Sequence, residues 1–235
     1  MSKEVLVYKE DLFVNARQIV LACQAIRESE KIGYDLDQMI AESRIPIIKE
    51  IKKKRGILYD WRTWGWHTTQ KVLEEDFGLS KKEALKENLF LWENEKLLLK
   101  SPIIKPIKEF IGKMKLLDKE QYIVTSRKPH LHESTHQWLR NKAFFDLIPP
   151  ENVFLNQDIS LKGSVYKAKM CVSLGIKLFF EDCLEQVERI IETSPDIKVI
   201  WIPAGEDIFL AKPKSERVIK IPSLQLPNLL VAQSY

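Results

Sequence analysis

Four short polar stretches each stand directly after an apolar segment of the sequence. They are Lys9-Glu10-Asp11, Thr125-Ser126-Arg127, Asn156-Gln157-Asp158 and Glu181-Asp182. Carboxylates of this kind bind Mg²⁺, whereas a hydroxyl group and the amine of Lys167 bind phosphoryl oxygens. If the fold brings these groups together, the sequence predicts a site for a phosphate and a divalent metal. The alternative is that polar residues stand there only because loops are solvated.

The apolar segments before these stretches are predicted to be strands of one parallel sheet. These four predicted strands are Val5–Tyr8, Tyr122–Val124, Val153–Leu155 and Lys177–Phe180, and Val199–Ile202 is predicted as a fifth. Segments with helical spacing of apolar residues lie between the later strands. This alternation predicts an α/β fold, a three-layer Rossmann-like core with a parallel sheet, whose ligand site lies at the carboxyl ends of the strands. The polar stretches would therefore share one edge of the sheet.

The chain between the first predicted strand and Leu99 has helical spacing throughout, and we predict no strand there. Ser80, followed by Glu83, forms a capping box, which is typical of a helix start. A helical stretch between two strand-bearing segments indicates an inserted α-helical cap. We therefore expect an α/β core formed by residues 1–14 and 101–235 and a cap formed by residues 15–100.

The composition excludes several classes of protein. The chain has 235 residues and a net charge of +4, which is too balanced for a strongly basic nucleic-acid binder. Its three cysteines form no metal-binding or dithiol pattern, so we expect the reducing cytoplasm. No apolar run reaches the roughly 20 residues that span a bilayer, and the first residues show no secretory signal. We expect no membrane partner.

Three segments resemble sequence motifs of a known family. Tyr122–Arg127, the segment from Lys167 to Ile176, and Leu178–Asp182 are similar to motifs II, III and IV of the haloacid dehalogenase-like hydrolases. Within that family the resemblance is to the 5'-nucleotidase-like phosphatases with an inserted helical cap. It implies hydrolysis of a small phosphorylated ligand or nucleotide, with Mg²⁺ as cofactor.

The resemblance also implies roles for individual residues. Thr125 would bind the phosphoryl group, with Ser126 beside it, and Lys167 would stabilise the phosphoaspartyl state. Asp182, with Glu181, would complete the Mg²⁺ site. Further contacts with the substrate are expected from Lys9, Ser126, Arg127 and His130.

The first motif departs from the family pattern. The family has an Asp-x-Asp pair after its first strand, in which the first Asp attacks phosphorus and the second acts as acid and base. Here Lys9 stands at the first position, Asp11 at the second, and Leu12 replaces the glycine that turns the chain. A protonated amine cannot form an acyl phosphate, and its charge opposes Mg²⁺ binding. Lys9 therefore predicts weak Mg²⁺ binding and impaired catalysis, and Asp11 is the expected catalytic and metal-binding carboxylate.

Two other assignments of the nucleophile are open. A shifted register makes Asp11 the nucleophile, but Phe13 then replaces the second carboxylate. Asp35-Leu36-Asp37 also has the Asp-x-Asp form. The charged segment Arg27–Lys31 before it argues against a strand, so we predict that Asp35 is a helix N-cap.

Two functions follow from these assignments. The first is a binding or regulatory module that has lost its nucleophile and keeps a pocket for a phosphate or nucleotide. A protein partner is compatible with this function. The second is an active, nucleotidase-like, Mg²⁺-dependent phosphohydrolase that acts on a small phosphate ester through Asp11. Lys9 favours the first function, whereas the intact motifs II to IV favour the second.

Three further groups of residues have alternative interpretations. His130, His132 and His136 lie close together, but we expect a solvent-facing helix rather than a metal site. The basic cluster Lys52–Arg55 precedes several aromatic residues, a combination that can bind single-stranded nucleic acid. A solvated helix end followed by an aromatic cap core explains that cluster better. The expected residues of a lid over the active site are Arg62, Trp64 and His67.

Overall fold

A computed structural model gives the structure of residues 17–57, 59–210, 213 and 215–221, which include one six-stranded sheet. The strands are β1 (Lys31–Tyr34), β2 (Glu120–Thr125), β3 (Val153–Leu155), β4 (Leu178–Glu181), β5 (Lys198–Trp201) and β6 (Val218–Lys220). Their order across the sheet is β3-β2-β1-β4-β5-β6, and every neighbouring pair is parallel. All of these strands therefore end at the same edge, with β1 in the interior of the sheet.

Helices cover both faces of the sheet and form an inserted unit beside it. They are α1 (17–28), α2 (Arg44–Arg55), α3 (Trp66–Glu75), α4 (Lys81–Trp92), α5 (Glu95–Leu98), α6 (Lys105–Leu116), α7 (His132–Asn141), α8 (Gly163–Ser173) and α9 (Leu184–Thr193). Helices α1, α6 and α7 share a hydrophobic cluster with Phe180 on one face, and α8 and α9 share another with Phe179 on the opposite face. Neighbouring residues of β4 thus point to opposite faces, as the pleat requires. The prediction of a three-layer α/β core is confirmed.

The interior of the sheet holds a strand that the sequence analysis did not predict. Strand β1 lies between β2 and β4. Gly33 allows this close packing, since a Cβ atom there would lie 2.5 Å from the ring of Phe179. The expectation of a purely helical segment over residues 15–100 is therefore wrong. The physical reason is that a four-residue strand containing a glycine shows too little apolar pattern to be recognised. The expected first strand, Val5–Tyr8, lies outside the described residues.

Helices α2 to α5 form the inserted helical unit. Their own hydrophobic cluster includes Ile47, Trp64, Leu73 and Leu91. Where the chain passes between this unit and the sheet, Ala41 and Ile103 form an antiparallel bridge. The predicted capping box at the start of α4 is confirmed, because the Ser80 hydroxyl accepts from the Glu83 N–H and the Glu83 carboxylate accepts from the Ser80 N–H. Helix α4 thus begins where the sequence predicts.

The other predicted strands are found at the expected positions, as β2 to β5. Strand β6 lies in the C-terminal part of the chain, where the sequence showed no clear element. It extends the sheet beside β5. Among the described residues, no helix is both long enough and apolar enough to cross a membrane.

Candidate active site

A buried lysine lies between two carboxylates at the carboxyl edge of the sheet. Asp35 follows β1, Glu181 ends β4, and Lys167 is part of α8. The Nζ atom of Lys167 lies 2.8 Å from Asp35 Oδ1 and 2.8 Å from Glu181 Oε2. Burial lowers the pKa of Lys167, but the charges of the two carboxylates outweigh burial and raise it. Lys167 is therefore a permanent cation at this position.

Asp35 is oriented by the chain around it. Its Oδ1 atom also accepts from the Leu36 N–H at 2.7 Å, and its own N–H donates to the Phe180 carbonyl at 3.0 Å. Its Oδ2 atom makes no hydrogen bond with the described part of the chain. Burial raises the pKa of Asp35 to about 7, although Lys167 opposes this shift. The prediction that Asp35 caps a helix is wrong, because it follows a strand and the next helix starts at Arg44.

Asp182 adds a third carboxylate to this site. Oxygen atoms of Asp35, Glu181 and Asp182 lie within 4.8 Å of one another, and all three residues are buried. Burial, together with the charges of Glu181 and Asp35, raises the pKa of Asp182 well above its ordinary value. The group therefore brings together more negative charge than Lys167 can neutralise. Three oxygen donors with excess negative charge fit a hard divalent cation such as Mg²⁺.

Asp37 completes an Asp-x-Asp pair and is held by two other side chains. Arg127 donates from Nε to Oδ2 at 2.8 Å and from Nη2 to Oδ1 at 2.7 Å. The Ser43 hydroxyl donates to Oδ1 at 2.8 Å. Burial raises the pKa of Asp37, but the charge and hydrogen bonds of Arg127, with the Ser43 hydrogen bond and the charge of Lys167, together hold that pKa below its usual value. Asp37 is thus fixed at the point where the chain leaves the sheet for the helical unit.

The hydroxyl groups predicted to bind phosphate lie at the same edge of the sheet. Thr125 ends β2 and is buried, and its Oγ1 atom accepts from the Arg127 N–H at 3.3 Å. Ser126 donates to the Gln186 side chain at 3.3 Å. Gly163, at the start of α8, lies so close that a Cβ atom there would be 2.4 Å from Ser126 Oγ. The structure therefore brings these hydroxyls to the predicted edge, and their binding of phosphate stays a prediction.

The remaining predicted site residues lie elsewhere or have other partners. Lys9 and Asp11 are outside the described residues. Arg127 is buried and its guanidinium is bonded to Asp37; its contact with substrate stays a prediction. His130 is half exposed, and its Nε2 atom lies 3.4 Å from Glu93 Oε2 at the end of α4. His130 therefore contacts the helical unit.

The three residues expected at a lid surface have different environments. Trp64 is buried in the hydrophobic cluster of the helical unit. Arg62 is exposed, and its Nη2 atom lies 2.9 Å from Asp60 Oδ2. His67 is exposed in the first turn of α3. A lid role for these residues stays a prediction.

Gln38 directly follows the Asp-x-Asp pair formed by Asp35 and Asp37. Its φ angle is 60°, in the left-handed region that favours glycine. Such a conformation costs a residue with a side chain about 1–2 kcal/mol. The turn is held by a bond from the Gln38 N–H to the Ala41 carbonyl at 2.8 Å. The side-chain amide also donates to Ser43 Oγ at 2.7 Å, and Ser43 in turn holds Asp37.

Comparison with solved structures shows that this chain has the haloacid dehalogenase-like fold. A HAD family hydrolase of Deinococcus radiodurans R1, with bound phosphate and sodium, is 14% identical, with a TM-score of 0.59; the match covers 87% of this chain and 96% of that one. A protein of Clostridium difficile assigned as a phosphatase is 16% identical over 86% of this chain and 98% of that one, with a TM-score of 0.58.

YfnB of Bacillus subtilis, assigned as a HAD-hydrolase and bound to magnesium, is 15% identical over 86% of this chain and 98% of that one, with a TM-score of 0.54. At such identities the likeness establishes the fold. No family model matches the sequence, and no curated protein matches it either. The resemblance inferred from motifs II to IV is therefore confirmed at the level of the fold.

Local sequence patterns did not place Asp35 and Asp37 at the site. The Asp-x-Asp spacing was visible, but its two strongest contacts, with Lys167 and Arg127, come from distant parts of the chain. A useful signal was the short segment Ile32–Tyr34, which is apolar apart from its glycine. Of the charged residues before that segment, Arg27 and Glu28 end α1, Glu30 lies in the turn, and Lys31 is the first residue of β1, so they do not argue against the strand.

Proposed function

We propose that this protein is a Mg²⁺-dependent phosphohydrolase that acts on a small phosphate ester, with Asp35 as its nucleophile. The observation that carries this proposal is the buried group of three carboxylates, Asp35, Glu181 and Asp182, beside Lys167. The group lies at the carboxyl edge of a haloacid dehalogenase-like fold, where ligands bind in open α/β sheets. Among the structural neighbours, one was solved with phosphate and another with magnesium, which supports the same chemistry here.

The reaction has two steps in this proposal. Asp35 attacks phosphorus and forms an aspartyl phosphate, while the bond from phosphorus to the leaving oxygen breaks and that oxygen takes a proton from Asp37, which this step requires in its protonated form. Asp37 then accepts a proton from water, whose oxygen attacks phosphorus and releases inorganic phosphate and the Asp35 carboxylate. The groups that bind the phosphoryl oxygens in both steps are those of Thr125, Ser126 and Lys167.

Asp35, Glu181 and Asp182 are the residues that would hold Mg²⁺. The cation, when bound, supplies positive charge that stabilises the phosphoryl oxygens as negative charge develops on them. The excess of carboxylate charge at the site supports this assignment. The weakening of Mg²⁺ binding by Lys9 stays a prediction, because Lys9 lies outside the described residues.

A second candidate is a module that binds a phosphate or nucleotide, or regulates a protein partner, without turnover. Gln38 favours it, since the family pattern has a glycine directly after the catalytic pair and this chain has a strained residue there. The argument for impairment from Lys9 is weaker than the sequence alone indicated. An Asp-x-Asp pair follows strand β1, so the nucleophile does not have to come from Lys9 or its neighbours.

Hydrolysis of p-nitrophenyl phosphate and a panel of nucleotides, with Mg²⁺, tests the proposal. We expect turnover by the wild type and a loss of about 10³-fold or more in Asp35→Asn, because the variant lacks the nucleophile. Asp196→Asn is the matched control, since this exposed carboxylate pairs only with the exposed Lys177 in the described structure. It should keep wild-type activity. Asp11→Asn should also leave turnover unchanged.

The outcomes separate the candidates. Turnover that survives Asp35→Asn but is abolished by Asp11→Asn would assign the nucleophile to Asp11 and refute our proposal. A wild type that binds Mg²⁺ and inorganic phosphate without hydrolysing any substrate would favour the binding module. In that case, activity gained by Lys9→Asp would identify Lys9 as the cause of the loss.

We further propose that the protein works in the reducing cytoplasm. Cys23, Cys171 and Cys183 are free thiols, and the first two are buried, which is typical of proteins that form no disulfides. A small phosphorylated ligand or nucleotide is the proposed partner. Mass spectrometry of the protein from cells, with trapping of free thiols, should find all three cysteines reduced.

A further inference from the structure

An apolar cavity lies at the junction between the helical unit and the α/β core. Its volume is about 420 Å³, within the range of ligand pockets in proteins. Both crossings of the chain between core and helical unit contribute to its wall, with Met39 from the first and Ile103 from the second. The loop after β5 contributes Ile202 and Ile208. An occupant of this cavity would therefore contact the core and both crossings at once.

The charged groups of the cavity wall are paired with each other or exposed to water. Glu42 and Arg44 are buried and form an ion pair. Arg62 is exposed and pairs with Asp60, and Lys105 is also exposed. Burying a further charge in an apolar site without a partner costs free energy. The wall therefore favours an occupant that is apolar and uncharged.

Strand β6 ends beside this cavity. The Ile221 N–H donates to the Trp201 carbonyl at 2.8 Å, and the residue after Trp201 is Ile202, which lines the cavity. Ile202 and Ile221 belong to one hydrophobic cluster with Met39, another residue of the wall. An extended chain advances by about 3.3–3.6 Å per residue. The first few residues after Ile221 can therefore reach the cavity.

The segment after β6, residues 222–235, has the composition that the cavity favours. This segment lies outside the described residues. It has no charged side chain, whereas 30% of the whole chain is charged. Its apolar side chains include those of Leu224, Leu226, Leu229, Leu230 and Val231. Burial of such side chains is the main driving force for docking of a segment on an apolar surface.

Residues 1–16 are the other segment that begins near β6, and they also lie outside the described residues. They precede α1, in which the Gln18 side chain accepts from the Lys220 N–H at 3.1 Å. This segment carries the charged residues Lys3, Glu4, Lys9, Glu10 and Asp11. Their burial in the cavity would be costly, so residues 222–235 are the better occupant.

We propose that residues 222–235 dock in this cavity and hold the helical unit against the core. The inference goes beyond the proposed function and does not depend on hydrolysis. Two hydrogen bonds join the crossings, from the Glu42 N–H to the Pro102 carbonyl and from the Ile104 N–H to the Ile40 carbonyl, both at 2.9 Å. A docked segment that packs on both crossings stabilises these bonds as well.

Hydrogen exchange of the full chain, followed by mass spectrometry, tests the docking. We expect the backbone amides between residues 223 and 231 to exchange about 10-fold or more slowly than those of an unstructured chain. Ile208→Asp places a charge in the cavity wall at a residue that is 36% exposed. It should abolish this slowing and accelerate exchange at Glu42 and Ile104. Leu226→Asp, which alters the segment and leaves the wall intact, should have the same two effects.

Leu85→Asp is the matched control. Leu85 is 44% exposed on α4 and does not line the cavity. The substitution adds the same charge to an exposed apolar position of the helical unit. Exchange in both regions should therefore match the wild type.

Photocrosslinking identifies the occupant even if Ile208→Asp does not fold. The photoreactive residue p-benzoylphenylalanine, placed in turn at positions 224 and 226 of the full chain, reacts with C–H bonds close to its ring. We expect crosslinks within one chain to the cavity wall, at Met39, Ile103 or Ile208. A mixture of isotopically light and heavy protein separates these products from crosslinks between two chains.

Several results would overturn the proposal. Exchange between residues 223 and 231 at the rate of an unstructured chain would show that the segment is not docked. Slowed exchange that survives Ile208→Asp, or crosslinks from both positions only to other parts of the chain, would show that it packs elsewhere. Crosslinks only between two chains would make a second copy the occupant, and crosslinks to the wall from a probe at position 7 in their place would assign the cavity to residues 1–16.

Discussion

The substitution Lys167→Met tests the electrostatic account of the site. Lys167 is fully buried, and its Nζ atom lies 2.8 Å from a carboxylate oxygen of Asp35 and of Glu181. Methionine keeps the apolar stem but leaves both carboxylates buried without their cation. Removing one partner of a buried ion pair costs about 3–5 kcal/mol. Because domains are stable by about 5–15 kcal/mol, the free energy of unfolding should fall by a large fraction.

The size of this loss should depend on pH in a defined direction. The pKa of Asp35 is about 7 with Lys167 in place, and loss of the cation raises it further. The folded variant then holds protons that the unfolded chain releases above about pH 4. Its stability therefore falls as the pH rises. Relative to the wild type, the loss should be smallest near about pH 5 and largest near about pH 8.

Urea unfolding followed by tryptophan fluorescence, without divalent cations, measures this difference. Lys177→Met is the matched control, since it removes a lysine whose side chain is 55% exposed from an ion pair with Asp196. Such exposed pairs contribute about 0.5 kcal/mol or less. A loss in Lys167→Met no larger than in this control, or one that does not change between the two pH values, would refute the reasoning.

Three further predictions concern stability. Gly33→Ala should lower the free energy of urea unfolding by about 1–3 kcal/mol, because its Cβ would lie 2.5 Å from a buried ring. Gly112→Ala, with its nearest contact at 4.0 Å, should raise it by about 0.5–1 kcal/mol; equal effects would contradict the account of β1. Ser80→Ala should cost about 0.5–2 kcal/mol in thermal unfolding, because it removes the capping box of α4; an unchanged Tm would contradict that role. Burial and the charge of His132 lower the pKa of His136. As the pH falls, His136 is therefore protonated in the unfolded chain before it is protonated in the folded protein, and the free energy of unfolding should decrease below about pH 6.5. His136→Phe should weaken this pH dependence, and an identical pH profile would exclude His136 as its source.

The fold was largely predictable from local sequence patterns. Strands β2 to β5 contain apolar runs, which in β2 to β4 are followed by polar residues, and the helices between them show an apolar face at helical spacing. Such patterns indicate that one face of a strand or helix is buried. The pattern itself is formed only by residues that are close in the sequence. The capping box at Ser80 is similarly local. The order of motifs II to IV then indicated the haloacid dehalogenase-like fold.

The position of the proposed nucleophile, Asp35, depended on the tertiary structure. Strand β1 has one glycine in its four residues, and its place in the sheet is decided by pairing with β2 and β4. Gly33 is needed because Phe179 packs against it, a contact that no local pattern reveals. Consequently the sequence placed the first motif at Lys9 and Asp11 and not at Asp35.

The sequence by itself determined which residue types are available for chemistry: the hydroxyl of Thr125, the amine of Lys167 and the carboxylate of Asp182. Only the tertiary structure decided which carboxylates join them. Asp35 lies beside Lys167, and Asp37 beside Arg127, because parallel strands far apart in the chain end at one edge of the sheet. The energy of a buried charge depends on such distant partners, so local sequence cannot assign it.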